Sequence, residues 1–310
     1  MKYLKEFNTH ASYEDKINIG GSDLEIPIVS YCDDVSDVHY NPYNTVEFYV
    51  GNITGTTPNT VKIYTSESTS IDVTVSKGNK WYSYVLPKDK GLFKIEGDSV
   101  KKVVVKADIN TNRVTIIPYS TVEASFKGSN TSNVTNMYQM FSMRKGLTSL
   151  DVSSFDTSNV TNMYSMFSDC GGLTSLDVSN FDTSKVTNMG HMFSGCKGLT
   201  SLDVSNFDTS NVPDMSNMFS GCKGLTSLDV SNFDTSKVTN MAYMFYNCEQ
   251  LMTLILNGWN MANIADMSWM FRGCTNLDTI RMIGCNQTTI TKIQTQLGYD
   301  NITGVEIVTK

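Results

Sequence analysis

The sequence predicts a mainly β protein with short helices, in which a small antiparallel β-sandwich leads into an α/β leucine-rich-repeat-type solenoid of six 26-residue coils. Three observations predict it. A unit of the form NVTNMxxMFxxCxxLTSLDVSNFDTS recurs at a shift of 26 residues from about Asn133 to Thr288. All of the 17 methionines except Met1 lie between Met137 and Met282, so composition changes where the repeats begin. Between Thr45 and about Ser125, seven or eight short alternating runs are separated by Gly, Asn, Pro and Lys, the even spacing of a sandwich.

In chain order, residues 1–43 read as an attachment arm in which IPIVSYCDDVSDVHY, Ile26 to Tyr40, forms a short hairpin turning at Asp33 to Asp37. Residues 44–126 form the sandwich, with strands expected at TVEFYV, TVKIYT, SIDVTVS, KWYSYVL, KKVVVKA and RVTIIPY, and with Trp81 in its core. Residues 133–288 form the solenoid, and 289–310 a C-terminal cap in which GVEIVTK offers a last strand.

Within one unit the apolar spacing changes period. Val160, Met163, Met166, Phe167 and Cys170 fall on one face at helical spacing, which predicts a short helix. Pro213 replaces Thr161, Thr187 or Thr239 of other copies, as a residue of the first helical turn could. Leu176 and Val178 then alternate with Ser175, Asp177 and Ser179, the signature of a strand with one buried face. Phe181 turns inward before Asp182, Thr183 and Ser184 close the coil. No such unit buries its apolar face alone, so the units must stack, and the methionine stripe is core packing.

Five of the seven cysteines, Cys170, Cys196, Cys222, Cys248 and Cys274, repeat at the same period. Coils spaced roughly 4.8 Å apart do not match the roughly 3.8 Å between Cβ atoms of a disulfide, so a ladder of buried free thiols is expected. Asp151, Asp177, Asp203 and Asp229 form a row on the strand side. It reads as solvated, with a hard cation as the alternative, since such an ion wants about six or more oxygen ligands. A second row, Asp156, Asp182, Asp208 and Asp234, precedes each expected helix, where it would cap.

Positions that vary between copies are free of the stacking constraint. On the helix side these are Tyr138, Tyr164, His191, Asn217, Tyr243, Tyr246, Trp269 and Arg272. On the strand side Ile255, Asn257, Arg281 and Ile283 break the Ser-Asp-Ser pattern. Tyr, Trp and Arg are the residue types that anchor interfaces, so Tyr138, Tyr164, His191, Tyr243, Tyr246, Ile255, Trp269, Arg272, Arg281 and Ile283 are the candidate recognition residues. For the later copies, degeneration toward a terminal cap is the competing reading.

Catalysis has no visible machinery. The chain has three histidines, no HExxH, no zinc-type cysteine spacing, no GxSxG and no P-loop, and Cys32 has no histidine partner in a motif. No catalytic residue, cofactor or metal is therefore expected. A net charge of -7, with 24 scattered Lys and Arg residues, disfavours nucleic acid. The first residues lack the apolar core of an export signal, and no run is long enough to span a bilayer, so the expectation is assembly in the cytoplasm without membrane insertion.

The string TNMxxMFxxCxxLTSLDVSNFDTSxV closely resembles the BspA-like leucine-rich repeat family of bacterial surface adhesins, mycoplasma proteins and gut phage proteins, over about half the chain. That resemblance implies a non-enzymatic protein acting through protein or glycan contacts, with no catalytic residues to carry over. The opening, YLKEFNTH followed by YED, VSYC and VHYNP, resembles a leader shared by proteins of gut anaerobes and their tailed phages. Together these lead to the expectation of a bacteriophage virion component, a head-fibre, tail or baseplate protein. Its N-terminal region would meet other virion proteins, and its repeats a host-surface protein or glycan or another virion protein. A BspA-type bacterial cell-surface adhesin is the alternative, and homo-oligomerisation is left open.

Overall fold

The structure is a computed structural model that describes residues 29–31, 44–51, 59–75, 79–86, 90–109 and 116–310. The arm expected over 1–43, with its hairpin and Cys32, lies outside the described residues except for one strand, β1 (Val29–Tyr31).

The amino-terminal part comprises β2 (Thr45–Val50), β3 (Asn59–Tyr64), β4 (Ser70–Val75), β5 (Lys80–Val85), β6 (Lys94–Glu96) and β7 (Val100–Lys106). They fall into two sheets, one in the order β4-β3-β6 and one beginning β1-β5-β2-β7, with antiparallel pairing throughout. Alternation decides which side chains face inward. Val46, Phe48 and Val50 of β2 are fully buried, and Phe48 stacks on Tyr82 with ring centroids 5.7 Å apart. Trp81, expected in the core, is displaced from it by the same alternation: Tyr82 and Tyr84 take the inward positions, and half-buried Trp81 meets Tyr49 edge-on across the outer face. The run RVTIIPY forms no strand in its described part, although Ile116 and Ile117 are buried.

The larger sheet does not end at β7. It continues in parallel through β8 (Glu123–Ser125) to β9 (Ser149–Asp151), so the sheet crosses the boundary drawn between sandwich and repeats, and one hydrophobic core runs from Val46 to Leu297. The β-solenoid has about seven turns. A partial coil ending near Thr131 precedes coils 133–158, 159–184, 185–210, 211–236, 237–262 and 263–288.

The run from Val160 to Cys170 corrects the expected helix. Ser165 (φ 55) and Asp169 (φ 58) adopt the left-handed conformation, which an α-helix does not admit. Alternate N–H groups leave the coil: Met163, Ser165, Phe167 and Asp169 donate to Asn188, Gly190, Met192 and Ser194 of the next one, at 2.9, 3.0, 2.9 and 2.6 Å. The intervening Met166, Ser168 and Cys170 turn back onto Met163, Ser165 and Phe167, and Tyr164 donates to the Asn162 Oδ1. Every N–H from Met163 to Cys170 is thus satisfied by a row of stacked turns, and the inward spacing that suggests a helix is equally that of this row. Pro213 sits at the start of the row. Its missing N–H removes the rung that Thr187 makes to Thr161 and Thr239 makes to Pro213, and the neighbouring rung from Met189 to Asp214 is absent too.

Three ladders hold the coils together. Phe141, Phe167, Phe193, Phe219, Phe245 and Phe271 stack with centroids 5.7 to 6.0 Å apart and ring planes within 10°. Cys170 to Cys274 are free and buried, each thiol facing a phenylalanine carbonyl of the preceding coil, as Cys196 does with Phe167 at 3.1 Å. Where the first repeat has Arg144 instead, the buried guanidinium donates to the carbonyls of Ile117 and Ser142 and lies 3.8 Å over the Tyr119 ring. Burial holds the Arg144 pKa below its ordinary value.

The third ladder is made by Thr157, Thr183, Thr209 and Thr235, all buried. The Thr183 Oγ1 donates to the Asp208 carbonyl at 2.9 Å and accepts from the Asp208 N–H at 2.7 Å, clamping one coil to the next.

On the opposite side lie β10 (Ser227–Asp229), β11 (Thr253–Ile255) and β12 (Thr279–Arg281), joined in parallel by β13 (Glu306–Val308). Helix α1 (Gln287–Tyr299), capped by Asn286, closes the stack. Thr289, Lys292 and Asp300 stand in for a further coil, on Met261 N–H, on the Met261 and Ile264 carbonyls, and on Phe271 N–H.

Candidate functional site

The candidate recognition residues divide between two runs of the coil. Tyr138, Tyr164, His191, Tyr243, Tyr246, Trp269 and Arg272 lie along the turn row, whereas Ile255, Arg281 and Ile283 lie along β11, β12 and the residues that follow.

The turn row carries two ring clusters separated by Asn217. Near the first repeats, half-buried Tyr138 and Tyr164 stack at 5.5 Å and His191 tilts against Tyr164 at 5.2 Å. Burial lowers the pKa of His191, opposed by the Asp214 charge. At the far end Tyr243 and Trp269 stack at 6.2 Å, Tyr246 meets Tyr243 edge-on at 5.5 Å, and the Arg272 guanidinium lies 3.7 Å over the indole. Tyr243 and Trp269 are 37% and 39% exposed, whereas the rings of the first cluster are half-covered.

The backbone adds a second distinction. One position of the turn row is left-handed in every coil, and Gln139, Ser165, His191, Asn217, Tyr243 and Trp269 occupy it with φ between 55 and 60. Asparagine tolerates that region, whereas a bulky side chain there costs roughly 1–2 kcal/mol. The last two coils therefore hold large aromatics at a backbone position that Asn217 occupies most readily.

The row also ends unfilled. Met241, Tyr243 and Asn247 donate to Asp266, Ser268 and Arg272, but their counterparts Met267, Trp269 and Gly273 have no acceptor, and of this set only Phe271 N–H is served, by Asp300. Three backbone donors thus stand beside Trp269 and Arg272.

The carboxylate rows have local partners. In the strand-side row Asp151, Asp177, Asp203 and Asp229 each accept the N–H two residues on, from Ser153, Ser179, Ser205 and Ser231, at 2.9 to 3.0 Å. Hydrogen bonds from Ser179 and Ser205 lower the pKa of Asp177 and Asp203. Asp156, Asp182, Asp208 and Asp234 do the same with Ser158, Ser184, Ser210 and Ser236, which corrects the capping role: with no helix following, they close Asx turns. Among the described residues no group of three or more His, Cys, Asp or Glu side chains could hold a metal ion. Nor is any described helix long and apolar enough to cross a membrane.

Sequence reasoning missed the threonine clamp, the Asp300 cap, and exposed Met252 and Tyr299. The turn row did leave a signal: Asp169, Gly195, Gly221, Asn247 and Gly273 share one position, residue types that accept a left-handed backbone, with Met143 of the first repeat the exception.

Fold and surface define a β-solenoid repeat protein with a locally differentiated end. A family model described as Mycoplasma protein of unknown function, DUF285, matches residues 115–202 and 172–283, together just over half of the chain, and the chain belongs to that family. No curated protein and no solved structure matches the chain.

Proposed function

We propose that the chain is a non-enzymatic recognition scaffold whose far turn row, Tyr243, Tyr246, Trp269 and Arg272, binds a polypeptide. The observation that carries this is the placement of two exposed aromatics at left-handed backbone positions, which only glycine and, to a lesser degree, asparagine or aspartate occupy without strain. Arg272 and Tyr243 both contact the indole, a pattern that favours a protein interface over a flat platform for a sugar ring. The unfilled donors of Met267, Trp269 and Gly273 suit the carbonyls of an extended segment laid along the last coil. Ile255, Arg281 and Ile283 form a separate strand-side patch, and Tyr138, Tyr164 and His191 a lesser one.

The setting we propose is a bacteriophage virion, with the N-terminal region on the particle and the repeats displayed; the leader resemblance supports it. The alternative is a BspA-type adhesin, which the repeat resemblance supports. Copurification tests both: recovery with phage particles establishes the first, recovery with washed bacterial envelopes the second, and recovery with neither refutes both settings. Loss of binding in a Trp269→Ala, Arg272→Ala chain that still melts normally tests the surface itself.

A further inference from the structure

The repeats carry the same Ser-Leu-Asp-Val segment four times, at 149–152, 175–178, 201–204 and 227–230, yet it forms a hydrogen-bonded strand only at the two ends of the series. β9 pairs with β8, and β10 with β11. No backbone hydrogen bond joins 149–151 to 175–177, 175–177 to 201–203, or 201–203 to 227–229, although the turn row between those coils is bonded. Leu150, Leu176 and Leu202 are each 8% exposed, against 2% for Leu228 and 0% for Leu254. A shallow cleft of ≈ 220 Å³ separates 148–153 from 175–177.

The neighbour across each joint accounts for the difference. In the closed joints Asp151 faces Ser125 and Asp229 faces Ile255. In the open joints aspartate would face aspartate: Asp151 and Asp177, Asp177 and Asp203, Asp203 and Asp229. The Asx turn is not the cause, because Asp151 and Asp229 make the same turn as Asp177 and Asp203 and still belong to ladders. Like charges directly opposite destabilise a strand pair.

We infer that the strand side of the central coils is an electrostatically held gate, kept open by the Asp151, Asp177, Asp203 and Asp229 row and closing when that charge is neutralised or screened. Of the charged groups facing the row, Asp177 repels Asp203 while Lys127 attracts Asp151, and no salt bridge reaches the row among the described residues. The opening is confined to these segments, because the Asn180, Asn206 and Asn232 side-chain amides still donate to the Val152, Val178 and Val204 carbonyls of the preceding coil.

The test is hydrogen exchange, residue by residue, on the full chain. In Asp177→Asn, Asp203→Asn no two aspartates face each other, and the amides of 175–178 and 201–204 are expected to gain about tenfold protection. Ile255→Asp, which places a carboxylate against Asp229, is expected to lose about as much at β10 and β11. Wild type should gain protection at 175–178 between low salt and about 1 M, where the Debye length falls to about 3 Å. Protection at Met163 and Phe167 reports intact stacking in each case. Unchanged exchange at 175–178 and 201–204 in the folded asparagine variant overturns the inference; if that variant does not fold, a wild-type salt series without gain overturns it equally.

Discussion

Replacing Thr183 by valine keeps the side-chain shape and removes the clamp between coils 159–184 and 185–210. The Thr183 hydroxyl is buried, donates to the Asp208 carbonyl at 2.9 Å and accepts from the Asp208 N–H at 2.7 Å, so both backbone groups of Asp208 lose their partner. A hydrogen bond contributes about 0.5–1.5 kcal/mol net, and leaving a buried polar group unpaired costs about 1–3 kcal/mol. Asp208 is partly reached by water, which places Thr183→Val at about 2 kcal/mol of destabilisation. Thr183→Ser, which keeps the hydroxyl and loses one methyl, is expected to cost about half of that or less. The assay is urea unfolding followed by circular dichroism, with the midpoints of wild type and both variants compared at equal slope. If valine and serine shift the midpoint equally, the hydroxyl contributes nothing and the clamp is not what joins the coils.

Further outcomes follow from the other ladders. Phe193→Ala, deleting a fully buried ring stacked 5.7 Å from both Phe167 and Phe219, should cost about 3–5 kcal/mol in the same assay. Burial pushes the thiols of Cys170 and Cys222 up to about 12, and Cys196 is raised in the same direction. These folded pKa values lie above the roughly 8.5 of an unfolded thiol, so their contribution is fully present below that pH and is lost as pH rises toward 12. Urea midpoints should fall over that interval, and alanine at Cys170 and Cys222 should flatten the fall. Thiol counting should find the five repeated cysteines unreactive until denaturant is added; rapid native labelling would contradict the stacked core. Calcium and chelator should leave the melting temperature unchanged, and a rise of several degrees with calcium would reopen the Asp151 to Asp229 row as a cation site.

Much of this architecture was legible in the residues. The 26-residue period located the coils, and inward positions such as Met163, Phe167, Cys170, Leu176 and Val178 are all buried. GVEIVTK supplies β13 as expected. The helix was misread because the spacing of Val160, Met163, Met166, Phe167 and Cys170 is common to a helix and to this row of turns; only the alternating destination of the N–H groups separates them. The threonine clamp was hidden because Thr183 looks like any turn residue until the next coil is laid against it. The burial habit of aromatics puts Trp81 inside, whereas the alternation of KWYSYV gives the inward positions to Tyr82 and Tyr84. Of the candidate surface, the variable positions could be named from the repeat alignment. Their division between the two sides of the coil follows from the same alignment, whereas the left-handed backbone under Tyr243 and Trp269 requires the fold.

The account rests most heavily on the far turn row as the recognition surface. Its most direct measurement is retention of the full chain on the particle or envelope fraction with which it copurifies, comparing wild type with Trp269→Ala, Arg272→Ala and with Tyr138→Ala, Tyr164→Ala, all shown to melt as folded proteins. Loss of a central Trp and Arg anchor is expected to weaken retention by at least about 30-fold, while the Tyr138, Tyr164 variant stays within a few-fold of wild type. Equal retention of wild type and the Trp269, Arg272 variant would contradict the assignment.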